Sequence, residues 1–81
     1  MSFYTYILQS EKTGRMYIGQ TNNLEDRLHR HNSNHNISTK NRGPWKLMHF
    51  VEFETRIEAV QLERQLKSWK SSKKVLVWIE K

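Results

Sequence analysis

Two runs of β-branched and aromatic residues, 3–8 and 15–21, flank the turn-forming stretch Glu11-Lys12-Thr13-Gly14. That spacing constrains the fold more than any other feature, because a short turn fixes the register of the strands it joins. Gly14 can take the positive φ that a tight hairpin turn requires. With the turn at 11–14, Leu8 falls opposite Tyr17 and Tyr6 opposite Gly19. Cross-strand partners share a face, so Tyr6 and Tyr17 are expected to project on one side of the sheet. Gly19 leaves space beside Tyr6 where a side chain would otherwise stand. A slip of one residue would send the two phenols to opposite faces.

Downstream, Asn22 or Asn23 can cap a helix carrying Leu24 and Leu28, with Asp26 near its N-terminus. Residues 32–39 are rich in turn formers and read as a loop running to Gly43-Pro44. A third strand is expected over 46–53. Thr55-Arg56-Ile57-Glu58 has the capping-box pattern and opens a second helix, whose apolar stripe is Ala59, Leu62, Leu66 and Trp69. Ser71-Ser72 then breaks the chain and caps a short final helix over residues 73 to about 79. There Val75, Val77 and Ile79 alternate as in a strand, so periodicity alone pulls the other way. The order is ββαβαα: an α+β domain with a small, mostly antiparallel sheet, residues 1–81 forming one domain.

An 81-residue chain without cysteine has neither disulfides nor a thiolate zinc site to hold it. Three Trp, three Tyr and three Phe must supply much of its core. No apolar run approaches the roughly 20 residues that span a bilayer, and the expectation is a cytosolic (cytoplasmic) protein with no membrane partner. The net charge is +6, and its distribution is uneven. From Arg27 to Val51 there is no acidic residue, while Arg30, Lys40, Arg42 and Lys46 occur there with four histidines. Arg64, Lys67, Lys70, Lys73 and Lys74 form a second basic group. Such clustering is the electrostatic footprint of a polyanion partner, set against the plainer reading of solubilising lysines.

Arg27 and His31 lie four residues apart and share a helix face. A guanidinium stays cationic and forms bidentate, charge-assisted bonds with phosphate, although surface arginines on helices are common. His29, His31 and His35 have no thiolate or carboxylate beside them, and zinc is not expected there. Glu63 borders the apolar stripe of the second helix, at the edge of the core. A carboxylate so placed can ligate a hard ion such as Mg²⁺. Helix geometry by itself favours an i,i+4 ion pair with Lys67.

Taken in order, these segments resemble the GIY-YIG endonuclease superfamily, and in particular its small standalone bacterial members. Tyr4-Thr5-Tyr6 stands where the first triplet lies, with Tyr4 and Thr5 in place of its glycine and isoleucine. Tyr17-Ile18-Gly19 is the second triplet in full. Leu24-x-x-Arg27-Leu28-x-x-His31 matches the helix that follows, and Thr39-x-x-Arg42-Gly43-Pro44-Trp45 and Glu58-Ala59-x-x-x-Glu63-x-x-Leu66-Lys67 match later blocks. The resemblance implies a three-stranded antiparallel sheet flanked by helices, cleaving nucleic-acid phosphodiesters with one divalent metal. It implies Tyr6 as general base, Tyr17 positioning water or phosphate, Arg27 holding the scissile phosphate and Glu63 ligating Mg²⁺ or Mn²⁺. His31 would stand beside Arg27 as a phosphate or proton contact.

A phenol has an ordinary pKa near 10, so Tyr6 needs nearby positive charge or the metal to act near neutrality. Arg30, Lys40, Arg42, Lys46 and Lys67 are the expected nucleic-acid contacts. Larger members carry an asparagine late in the domain, whereas this chain has none after Asn41. The leading expectation is a metal-dependent DNA endonuclease, monomeric or transiently dimeric, in DNA repair or processing. The alternative is a catalytically weak or inactive nucleic-acid-binding module of a larger repair assembly. A basic surface for an acidic protein partner is the remaining reading.

Overall fold

A computed structural model describes residues 2–32 and 44–80. The chain runs β1 (Phe3–Ser10), β2 (Met16–Thr21), α1 (Leu24–Asn32), β3 (Trp45–Phe53), α2 (Arg56–Ser68) and α3 (Ser72–Glu80). The strands form one antiparallel sheet in the order β2-β1-β3. The α+β, ββαβαα architecture is the one expected from the sequence.

The hairpin forms as its turn chemistry requires. Gly14 has φ +77°, its amide donates to Ser10 O at 2.9 Å, and Ser10 N donates to Arg15 O at 2.8 Å. The Ser10 hydroxyl also accepts from Lys12 N and Thr13 N. This turn sets Tyr6 opposite Gly19 and Leu8 opposite Tyr17.

Because β1 is the central strand, it is buried on both faces from Thr5 to Leu8. On one face Tyr6 and Leu8 join Trp45 in a cluster with Tyr17, Leu24, Leu28 and Leu47, under α1. On the other face Ile7 packs with Leu66 and Val75, among Leu62 of α2, Trp69 at its C-cap and Trp78 of α3. Burying a side chain such as Ile7 or Leu66 stabilises the fold by about 1.5–3 kcal/mol each. Thr5 Oγ1 donates to Ala59 O at 2.6 Å and anchors α2 to the central strand. The β1–β3 pairing shifts between Ile7 and Leu8, opposite Met48. That bulge keeps Met48 and His49 together on the α3 face, where His49 meets Trp78 edge-on.

Each helix starts where its capping residue stands. Asn23 Oδ1 accepts from Asp26 N at 3.0 Å, Thr55 Oγ1 from Glu58 N at 3.3 Å and Ser71 Oγ from Lys74 N at 3.3 Å. Val75 is buried in the core while Val77 is 50% exposed, the pattern of a helix rather than of the strand that their alternation suggested. The link between α2 and α3 carries one backbone irregularity: Lys70 has φ 49°, in the left-handed region that glycine normally fills after a helix. Lys70→Gly is expected to stabilise the domain by about 0.5–1 kcal/mol, relief of strain outweighing the extra unfolded-state entropy. A thermal melt should show the gain as a Tm rise of about 2–8 °C.

Candidate active site

The site grows from the even face of β1. Tyr6 is 3% exposed, and its ring lies across Gly19 on the neighbouring edge strand. A Cβ built on Gly19 would stand 2.5 Å from the Tyr6 hydroxyl oxygen and 2.7 Å from Cζ. Only glycine accommodates the phenol in this position. Tyr17 projects on the same side, its ring centroid 6.3 Å from that of Tyr6. The slip that would have separated the two phenols does not occur.

Helix α1 closes over these rings. Leu24, Arg27, Leu28 and His31 occupy positions i, i+3, i+4 and i+7, one stripe on the helix. That stripe faces the sheet, so the guanidinium and the imidazole lie on the inner side of α1. His31 is fully buried; its Nε2 lies 3.2 Å from the Tyr6 hydroxyl and its ring centroid 4.6 Å from that of Tyr17. Arg27 Nε is buried and makes no hydrogen bond among the described residues. A buried donor left in that state costs about 1–3 kcal/mol, more for a charged group. An anion bound there would satisfy it.

The fourth member arrives from α2. Ala59, Leu62, Glu63 and Leu66 form a stripe with the same spacing, and the Glu63 side chain is only 19% exposed. Its Oε2 accepts from Lys67 Nζ at 2.7 Å, the ion pair that helix spacing allowed. Glu63 is also close enough to act electrostatically on Tyr6.

These surroundings set the protonation states. Burial is the main reason that the Tyr6 phenol is pushed far above its ordinary range. Tyr17 and Glu63 push the same way, and the opposing pull of Arg27 is outweighed. Burial first, and then Arg27, hold His31 below its ordinary value near 6.5. At neutral pH the pair is therefore a phenol beside a neutral imidazole. A standing Tyr6 phenolate, the simplest form of the base implied by the resemblance, is disfavoured by this packing.

The other sequence-derived positions are scattered. Arg30 is exposed and paired with Asp26 at 3.1 Å. Lys67 is exposed beside Glu63. Lys46 is exposed on β3 between Trp45 and Leu47, which lie under α1, so strand alternation directs it to the sheet face opposite Tyr6. Lys40 and Arg42 lie outside the described residues, as does His35 of the histidine group. Among the described residues there is no cluster of three or more metal-ligating side chains. Glu63 alone suits a hard ion that keeps several waters and takes one or two carboxylates together with substrate phosphate oxygens. Residues that sequence reasoning passed over are Phe50 and Glu52 on β3, which flank Tyr4 on the Tyr6 face. Their only signal was strand alternation.

Two phenols and an imidazole thus stand together on the α1 face of the sheet, with Arg27 on the same helix stripe as His31 and the Glu63 carboxylate within electrostatic reach of Tyr6. The GIY-YIG catalytic domain matches residues 2–75, and the chain belongs to that nuclease family. More particularly, it is similar to small UPF0213 proteins. It is 40% identical to one from Clostridium perfringens over 73 residues, covering 89% of this chain and 77% of that one. It is 35% identical to one from Haloquadratum walsbyi over 72 residues, covering 88% and 80%. The solution structure of a UPF0213 protein from Bacillus halodurans matches with a TM-score of 0.63 at 30% identity, over 99% of this chain and 84% of that one. Among the described residues no helix is long and apolar enough to cross a membrane.

Proposed function

We propose that the chain is a divalent-metal-dependent endonuclease that hydrolyses phosphodiester bonds in DNA, with Tyr6, Tyr17, Arg27, His31 and Glu63 as its working groups. One observation carries this reading: the buried Tyr6 hydroxyl contacts His31 Nε2 beside a buried Arg27 Nε that has no hydrogen-bond partner among the described residues. A purely structural cluster gains little from a buried guanidinium nitrogen left without a hydrogen bond.

The residues divide the work as follows. Arg27 Nε donates to an oxygen of the scissile phosphate and stabilises the charge that builds there in the transition state. With His31 protonated on Nδ1, its Nε2 accepts the Tyr6 proton as the Tyr6 oxygen takes one from the attacking water. The water O–H bond breaks and the new P–O bond forms. The P–O bond to the departing oxygen breaks with its electron pair going to that oxygen, and the net proton ends on His31. Burial and, after it, Arg27 disfavour that imidazolium; the phosphate beside it supplies the compensating negative charge. Tyr17, stacked with Tyr6 and tilted against His31, orients the water. Mg²⁺ or Mn²⁺ would be held by Glu63 and, when bound, supplies Lewis-acid stabilisation of the departing oxygen. Exposed Arg30 and Lys67 extend the positive surface for the DNA backbone.

The decisive experiment offers the purified protein supercoiled, single-stranded and branched DNA with Mg²⁺, Mn²⁺ or chelator. Metal-dependent cleavage is expected, and Glu63→Ala is expected to abolish it. DNA affinity should hold or rise in that variant, because Lys67 is released. Product unchanged in Glu63→Ala would overturn the assignment. The Lys67 ammonium on Glu63 Oε2 favours a second reading, a binding module without turnover. That module would show salt-dependent affinity and no product with any metal.

The pH profile separates the proton relay from a free phenolate base. His31 is held below 6.5, so its neutral form is complete above that pH and is lost as pH falls through its lowered value. Cleavage is expected to be level from about pH 7 to 9 and to fall with one-proton slope on the acid side. A rate climbing about tenfold per pH unit up to pH 9 would replace the relay with phenolate catalysis.

A further inference from the structure

We propose that Tyr4 and Phe50 form a stacking platform for an unpaired base next to the scissile phosphate. The preferred substrate is then DNA with a single-stranded or frayed nucleotide at the cleavage point. This rests on the nuclease reading above and narrows its substrate class.

The platform is continuous with the site. Phe50 lies directly opposite Tyr6 across the β1–β3 ladder, so the two share a sheet face. Tyr4, two residues before Tyr6, shares it too, and its ring centroid stands 6.0 Å from that of Phe50 at 71°. The cluster beneath α1 takes in Leu8, Tyr17, Trp45 and Leu47 but neither Tyr4 nor Phe50. Phe50 is 48% exposed, an aromatic ring presented to solvent one strand from Tyr6. Tyr4 occupies the place of the first-triplet glycine, so this chain has added a ring where the resemblance called for none.

The chemistry around the rings selects a base over a phosphate. Tyr4 OH donates to Glu52 Oε2 at 3.4 Å, which sets a carboxylate beside the aromatic pair. That charge repels phosphate but accepts from the amino groups of a base edge. Phosphate chemistry is concentrated at Arg27 instead, on the α1 side of Tyr6. Every base has a π-face, and stacking on exposed aromatics next to a cationic backbone site is the general mode of single-strand binding. A base paired within a duplex cannot leave its stack for the platform without the cost of unpairing.

The test is equilibrium binding in chelator, where no strand is cut. The full chain is titrated into a short single-stranded oligodeoxynucleotide carrying a fluorescent aminopurine, and into the same strand in a duplex. Binding to the single strand should quench the fluorophore by stacking. Phe50→Ala should weaken single-strand binding about tenfold and remove most of the quenching, with duplex affinity changed less than about twofold. Phe50→Trp should keep both properties. Phe50→Leu, which keeps apolar bulk against Tyr4 without a ring, should share the loss. Phe50→Ala and Tyr4→Ala behaving like the parent on the single strand would overturn the platform and leave the nuclease reading standing. An equal drop on both probes would overturn it as well, assigning Phe50 to general stability. A parent chain that binds neither probe would overturn both proposals together.

Discussion

Gly19→Ala is expected to silence cleavage from a residue that carries no functional group. The added Cβ would stand 2.5 Å from the Tyr6 hydroxyl oxygen and 2.7 Å from Cζ, so the Tyr6 ring or the β2 backbone must move. Neither can move freely: the ring is buried against Tyr17 and His31, and β2 is held in register with the central strand. Overpacking of this kind destabilises by about 1–3 kcal/mol, seen as a lower denaturant midpoint. The larger effect is on rate. Swinging the phenol away breaks its 3.2 Å contact with His31, and a displacement of about 1 Å can cost roughly 100-fold in rate. The double variant Gly19→Ala/Tyr6→Phe checks the route. If Gly19 acts only through the phenol, adding Gly19→Ala to Tyr6→Phe should slow cleavage little further. Full additivity of the two losses would show that Gly19 matters for another reason.

Tyr6→Phe should reduce cleavage by about 10²–10⁴-fold, the usual range for removing a general base. Its fold should survive, because the ring still fills the Gly19 gap and the cluster with Leu8 and Trp45. The lost hydroxyl deprives a buried imidazole of one contact, for which about 1 kcal/mol of stability is expected to go. The sign of the pH effect is distinctive. Tyr6 has a raised folded-state pKa, so its protonated form belongs to the native state. Stability from that preference is complete below about 10 and is lost as pH rises beyond it. The parent should therefore lose stability in strong alkali more steeply than Tyr6→Phe. Equal alkaline melts would argue against a buried, proton-holding Tyr6.

Read from sequence, the site was legible as a set of residue types at set spacings. The Gly14 turn put Tyr6 and Tyr17 on one face, and the i,i+4 spacing put Arg27 and His31 together; both relations hold in the structure. Helix periodicity also left Glu63 at the edge of the core with Lys67 in reach, where both are found. It did not say which face of α1 would meet the sheet. Burial of His31, and of an Arg27 Nε with no hydrogen bond among the described residues, follows from that docking and has no local signature. Charge clustering grouped Lys46 with the other basic residues but carried no record of strand alternation, which sets it on the sheet face opposite Tyr6.

The ends of the elements were written locally: Asn23, Thr55 and Ser71 cap their helices, and Gly14 turns the hairpin. These are interactions within a few residues, which the sequence determines by itself. Helix α3 was not, since Val75, Val77 and Ile79 suit a strand as well. Packing of Val75 against Ile7 and Leu66 decided for the helix. The bulge at Met48 and the pairing of Tyr4 with Phe50 likewise exist only once β1 and β3 meet. Proton affinity at Tyr6 and His31 belongs to this second class. It depends on how completely water is excluded, and every element packed around the two rings takes part in excluding it.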